Sequence, residues 1–283
     1  MHRLDIREIC ERIAVQAPYF AFTELQGVPN RMVSGTFVAE QPLGFENGPV
    51  ASAEIGRHLA ILGSCAAVAW QAAPQIYYLA TKARYSKLHD VAPRASGASF
   101  QASAEVLTHD RRSLTAQAIV SAERPFAHLY CEYQALSESL FLRLFKDYRV
   151  PSPPLADSSP YRQSVQLDFD APVGPSIIAR SQPLAAARCA GHFLDYPAWP
   201  VAMIVHTVAQ TTSRLLHHIV DKEVSYTVVK CDLSAYQLVP ACEPLSFHTR
   251  CVSASSYLSH YVFETKVMRN GEIAAEIATE LRV

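Results

Sequence analysis

Two apolar stretches, Val50–Trp70 and Pro200–Val220, constrain this chain more than any other feature, because each is followed by a run of β-rich segments. A helix that is apolar nearly all round must be wrapped by something else. Neither stretch is an uninterrupted apolar run of the roughly 20 residues that cross a bilayer, so the wrapping is protein. After the first stretch come Ile76–Tyr85, Ser99–Leu107, Ser113–Ser121 and Ala127–Ala135; after the second come Ser225–Ser234, Leu245–Ala254, Tyr257–Arg269 and Glu272–Val283. The halves share phrasing, Tyr78-Leu-Ala-Thr-Lys-Ala-Arg-Tyr85 against Tyr226-Thr-Val-Val-Lys-Cys-Asp-Leu233. This is an internal repeat with a period too long for a solenoid. A sheet with one apolar face buries it only against another element, and one long helix per unit serves that need. The pattern predicts an α+β chain, two helix-plus-meander units paired as a pseudo-twofold single-chain dimer.

The remaining segments fill in this plan. Residues 4 to 13 have helical spacing, Arg31–Glu40 and Ile177–Ala187 read as strands, and Leu140–Phe145 as a short helix. His109–Arg112 is a hairpin turn, Arg124-Pro125 a break or bulge, and Asn270-Gly271 a two-residue hairpin, since both positions accept positive φ. Pro151–Pro160 has linker composition. The expected units are therefore residues 1–148 and 161–283, joined by a linker at 149–160. A net charge of −1 without a dense Lys/Arg cluster argues against nucleic acid or an anionic membrane as partner. Seven scattered cysteines with no Cys-x-x-Cys pair read as reduced thiols, with no disulfide framework and no zinc or other metal site. The charged start, Met1-His-Arg-Leu-Asp-Ile-Arg-Glu, lacks a signal's apolar centre. A cytoplasmic protein without cofactor is the expectation.

Chemistry concentrates at Cys189–Gln210, a Gly- and Pro-punctuated loop that holds His192 and enters its helix through Pro200. Gly191-His192-Phe193, then Pro197, Pro200 and an apolar helix ending Val208-Ala209-Gln210, resembles the β-hydroxyacyl-acyl-carrier-protein dehydratases of bacterial fatty-acid synthesis. The C-terminal half looks like that family throughout; the N-terminal half resembles it in strand order and helix. The resemblance implies a hotdog fold, a curved antiparallel sheet around a long central helix. Two in one chain make a double hotdog, similar to the dehydratase domains of polyketide synthases.

In that family a loop histidine from one hotdog works with a helix carboxyl from the other. Here the C-terminal helix carries His206 at the acid's place, as a filler or a second-site binding residue, and Leu43–Gly48 has no histidine to match His192. Glu54-Ile-Gly-Arg-His58 resembles the Asp-x-x-x-Gln/His helix motif, and spacing of four puts Glu54 and His58 on one helix face. The resemblance therefore implies one site per chain. His192 is its base and Glu54 its acid, with a pKa raised by burial; His58 orients Glu54, and the Val201 N–H meets charge on the thioester oxygen. Asp195 and Val201 stand where the family has glycine. The implied activity is dehydration of a 3-hydroxyacyl thioester, on an acyl carrier protein or CoA, to the trans-2-enoyl thioester. An acyl thioesterase and a non-catalytic acyl-binding or partner protein are the competing readings. The implied partner is an acyl carrier protein with a phosphopantetheine-linked substrate, and the chain is a monomeric pseudo-dimer or a homodimer of double hotdogs.

Overall fold

Strict alternation of buried and exposed residues along segments such as Ser113–Ser121, with Leu114, Ala116, Ala118 and Val120 facing inward, produces strands with one face for a core. The structure, a computed structural model, describes residues 2–28, 32–70, 74–92, 97–151 and 158–283. In chain order its first half forms β1 (His2–Arg3), α1 (Ile6–Ile13), β2 (Phe22–Val28), β3 (Met32–Val38), α2 (Ser52–Val68) and β4 (Ile76–Lys87). β5 (Ser99–His109), β6 (Ser113–Ser121), β7 (Pro125–Ser137) and α3 (Glu138–Leu144) complete it. Then come β8 (Leu167–Phe169), β9 (Ser176–Ser181), α4 (Val201–Val220) and β10 (Thr227–Ala235). β11 (Ser246–Ser255), β12 (His260–Arg269) and β13 (Glu272–Arg282) end the chain.

All thirteen strands join one antiparallel sheet, ordered β1-β2-β3-β5-β6-β7-β4-β10-β13-β12-β11-β9-β8. From β2 to β4 and from β8 to β10 the order is the same about the β4–β10 seam. This is the double hotdog α+β architecture, with α2 and α4 as the two wrapped helices. The seam pairs Lys230 with Ser86 through Ser234 with Lys82, overlapping the two segments whose phrasing repeats. α2 is rich in small residues, so the sheet approaches it closely. A Cβ on Gly63 would stand 2.6 Å from the Tyr133 hydroxyl, and that hydroxyl donates to the Ala60 carbonyl at 2.8 Å.

Three details differ from the sequence reading. β2 and the three-residue β8 have weak alternation and escape it. The strand expected at Ile177–Ala187 stops at Ser181; after Pro183 the chain turns through a 3-10 segment, Ala186–Cys189. Tyr257–Ser259 is the turn before β12, not strand, with Ser259 at φ 50°. Of the linker and the strand start expected at Arg31, residues 152–157 and Arg31 lie outside the described residues. Asn270 and Gly271 take φ 50° and 86°, as a two-residue hairpin requires.

Candidate active site

The loop before α4 is fixed from both sides. Gly191 sits at φ 82° against the first unit; a Cβ there would lie 2.2 Å from the Gln16 carbonyl oxygen. The Gln16 N–H donates to the Gly191 carbonyl at 2.9 Å, and Val15 bridges to His192. On the other side Ala241 N–H donates to the Pro197 carbonyl (2.9 Å) and Trp199 N–H to the Val239 carbonyl (2.8 Å). The Tyr161 hydroxyl holds the Ala190 carbonyl at 2.8 Å. Phe193 and Asp195 both take positive φ, 53° and 61°. Asp195 thus keeps the left-handed backbone expected of a glycine, which aspartate tolerates through local hydrogen bonding.

His192 faces a cavity of about 420 Å³ between α2, α4 and the central strands β4, β7 and β10. Its ring lies 4.9 Å from Tyr19 and 4.1 Å from Phe193, and its Nδ1 is buried without a partner. Burial pushes its pKa down to about 3, against a small upward pull from the Ala198 backbone, so the ring is neutral. Val201 and Ala202, the first two residues of α4, also line the cavity. Their N–H groups have no acceptor within the helix and stand at its positive end.

Glu54 and His58 stand elsewhere. The α2 face toward the cavity is Ser52, Ala53, Gly56, Arg57, Ala60, Ile61 and Ser64, and helical spacing turns Glu54 and His58 away from it. Glu54 is fully buried, its two oxygens accepting the N–H groups of Glu40 (2.8 Å) and Gln41 (3.0 Å). His58 stacks on Phe37, ring centroids 4.1 Å apart, with Nε2 3.4 Å from Glu54. Burial presses the Glu54 pKa upward, but His58, Arg57 and the Glu40 N–H outweigh it and hold the carboxyl below its ordinary value. This reverses the upward shift expected from burial alone. Burial and the Arg57 charge push His58 down to about 4, against Glu54 and Glu40.

The residue on the cavity wall is instead Arg57, the sixth residue of α2 as His206 is the sixth of α4. Its guanidinium lies 4.9 Å from the Tyr161 ring centre and 5.8 Å from that of Tyr19. Tyr19 therefore neighbours both Arg57 and His192. Counting from the helix starts would have singled Arg57 out; a carboxylate in a motif-like setting drew the reading to Glu54. No Asp or Glu lines the cavity among the described residues. The mirror position is closed: the Glu46 carboxylate accepts the Ser52 N–H at 2.8 Å and its hydroxyl at 3.3 Å, occupying the start of α2. Burial raises Glu46 to about 7. His206, half-buried nearby, is held below its ordinary pKa by burial. No group of three or more His, Cys, Asp or Glu side chains is placed to hold a metal among the described residues.

No sequence-family model and no curated protein matches the chain. Solved structures do match, over nearly its whole length. The TesB protein of Mycobacterium avium subsp. paratuberculosis is 10% identical with a TM-score of 0.61, covering 91% of this chain and 94% of its own. Acyl-CoA thioesterase II TesB2 of Mycobacterium marinum is 12% identical with a TM-score of 0.54, over 91% and 93%. A hotdog-fold protein of unknown function from Alicyclobacillus acidocaldarius is 11% identical with a TM-score of 0.59, over 95% and 98%. At these identities the likeness is one of fold: the chain has the double hotdog fold.

Proposed function

We propose that the chain hydrolyses an acyl thioester, of CoA or of a carrier protein, at His192. The observation that carries this reading is the cavity wall itself, which among the described residues offers one neutral imidazole and helix-end N–H groups but no carboxyl group. Dehydration of a 3-hydroxyacyl thioester needs a base at C2 and an acid at C3. The expected acid, Glu54, is ionised and tied to backbone N–H groups on the far side of α2. Hydrolysis asks for less. His192 takes a proton from water as the water oxygen bonds to the thioester carbon, and the Val201 and Ala202 N–H groups receive the carbonyl oxygen as it becomes negative. The C–S bond then breaks and His192 returns the proton to the departing thiolate, leaving acid and thiol. The neutral ring can accept the proton, and the adjacent oxyanion raises its affinity during the step. The acyl-CoA thioesterase name of one structural neighbour agrees with this chemistry. Purified protein given hexanoyl-CoA and 3-hydroxyhexanoyl-CoA should release free thiol from both and form no enoyl product. Enoyl formation without thiol release would restore dehydration. Turnover of neither would favour a non-catalytic acyl-binding protein.

A further inference from the structure

Two glycines interrupt α2, and packing accounts for one of them. At Gly63 a Cβ would collide with the Tyr133 hydroxyl, so the sheet requires glycine there. At Gly56 a Cβ would meet no heavy atom within 4 Å. Gly56 is the fifth residue of a 17-residue helix, and glycine inside a helix is disfavoured against alanine. Every residue of α2 is buried except Gly56 and Ala60, which are half-buried. Spacing of four puts both on one face, and both line the cavity that His192 faces. The open space over Gly56 therefore belongs to that cavity. Polar groups beside it are already occupied: the Tyr133 hydroxyl donates to the Ala60 carbonyl at 2.8 Å and the Ser64 hydroxyl to the Ile61 carbonyl at 2.7 Å. Ala53, Ile61 and Leu129 make the rest of this wall apolar.

The pseudo-twofold supplies a comparison within the chain. Val205 and Ala209 are the fifth and ninth residues of α4, as Gly56 and Ala60 are of α2. Thr279 and Leu281 pair with β10 as Cys131 and Tyr133 pair with β4. Together Val205, Ala209, Thr279 and Leu281 line a void of about 10 Å³, against about 420 Å³ on the His192 side. Valine at the fifth helical position goes with a filled pocket, and glycine with an open one.

We propose that Gly56 is a specificity-determining residue: its missing side chain leaves room for an unbranched apolar acyl chain to run along α2 across Gly56 and Ala60. This rests on the reading that the cavity takes an acyl thioester. With the thioester at His192, the methylenes of the chain take the space that a side chain at position 56 would fill, and their burial favours a medium-length chain over a short one. A methyl or isopropyl group on Gly56 would compete for that space, so it should discriminate against longer chains and spare short ones.

Binding separates this proposal from hydrolysis. S-octyl-CoA and S-ethyl-CoA, thioethers that cannot be hydrolysed, are titrated calorimetrically into the full chain and its Gly56→Ala and Gly56→Val variants. Wild type should hold the octyl chain at least about tenfold tighter than the ethyl group. Gly56→Val should lose at least about tenfold in octyl affinity and keep its ethyl affinity within about twofold, with Gly56→Ala between wild type and Gly56→Val for octyl. Thermal unfolding of the free proteins reads the fold: Gly56→Ala should melt above wild type, because alanine suits a helix better and its methyl meets open space. Higher stability with weaker octyl binding would be the mark of lost ligand room, which a packing role for Gly56 would not produce. Unchanged octyl binding in Gly56→Val, equal losses for both analogues, or a Gly56→Ala protein that melts below wild type would overturn the proposal. Failure of wild type to bind either analogue would overturn both this proposal and the hydrolase reading. An octyl-selective loss in a protein that releases no thiol would uphold the role of Gly56 and overturn hydrolysis alone.

Discussion

Replacing Gly191 with alanine tests how the two units are locked together at the histidine loop. The new Cβ would lie 2.2 Å from the Gln16 carbonyl oxygen and 2.8 Å from the Tyr19 nitrogen, both main-chain atoms of the other unit. The residue also sits at φ 82°. Three costs follow: roughly 1–2 kcal/mol for the left-handed backbone, about 1–3 kcal/mol for pushing a packed backbone aside, and about 1 kcal/mol for the Gln16–Gly191 hydrogen bond if the strands part. The expected loss is about 3–6 kcal/mol. Gly174 supplies the control, since it has φ 54° and open space around its missing Cβ, and Gly174→Ala should cost only the backbone share of about 1–2 kcal/mol. Calorimetric unfolding would read the Gly191 variant roughly 5–10 °C below wild type. The surviving fold should bind acyl thioesters poorly, because His192 follows Gly191. Equal destabilisation by the two substitutions would refute the close approach.

Other outcomes follow from the buried charges. His192 titrates near 3 in the free protein, so its base form is complete across the working range and kcat/KM should show no limb from it between about pH 5 and 8; a limb centred near the ordinary histidine value of about 6.5 would contradict the buried, neutral ring. Because His58 (about 4) and His192 (about 3) refuse protons that the unfolded chain accepts near 6.5, their contribution is full above that pH and is lost as pH falls toward the folded values. Urea midpoints should therefore drop below pH 6, with a slope of about 1.4 kcal/mol per pH unit for each histidine, and a flat profile from pH 7 to 5 would remove this account. Glu54→Gln should cost about 2–4 kcal/mol in stability, through the lost acceptor for the Glu40 and Gln41 N–H groups and the unbalanced Arg57. Its folded fraction should hydrolyse at a rate within about threefold of wild type. A well-folded Glu54→Gln protein without turnover would return Glu54 to the chemistry.

Much of the architecture was legible because its causes are local. β6 alternates cleanly, Asn270-Gly271 can hardly avoid its turn, and two all-round apolar helices demand a wrapping sheet. The segments whose phrasing repeats, Tyr78–Tyr85 and Tyr226–Leu233, lie in the two strands that meet at the seam, a pairing the repeat alone did not reveal. β8 escaped because three residues are too few to show a period. The site was half legible. His192 was recoverable, since Gly191, Pro197 and Pro200 around it have specific backbone duties. The position of Glu54 was not, because its orientation depends on helix phase, and about 100° of rotation, one residue's worth, separates the cavity wall from a packed face. Its ionised state was hidden too. It follows from His58, Arg57 and the Glu40 N–H, whose approach only the folded chain reveals.

The most direct measurement is single-turnover thiol release by wild type and His192→Ala on one acyl-CoA, with folding of the variant checked by its unfolding midpoint. A base at the thioester contributes about 10²–10⁴-fold, so the variant should lose at least about a hundredfold in rate while keeping its fold and its affinity for a thioether analogue. A folded His192→Ala protein that releases thiol at the wild-type rate would show that the water is activated elsewhere.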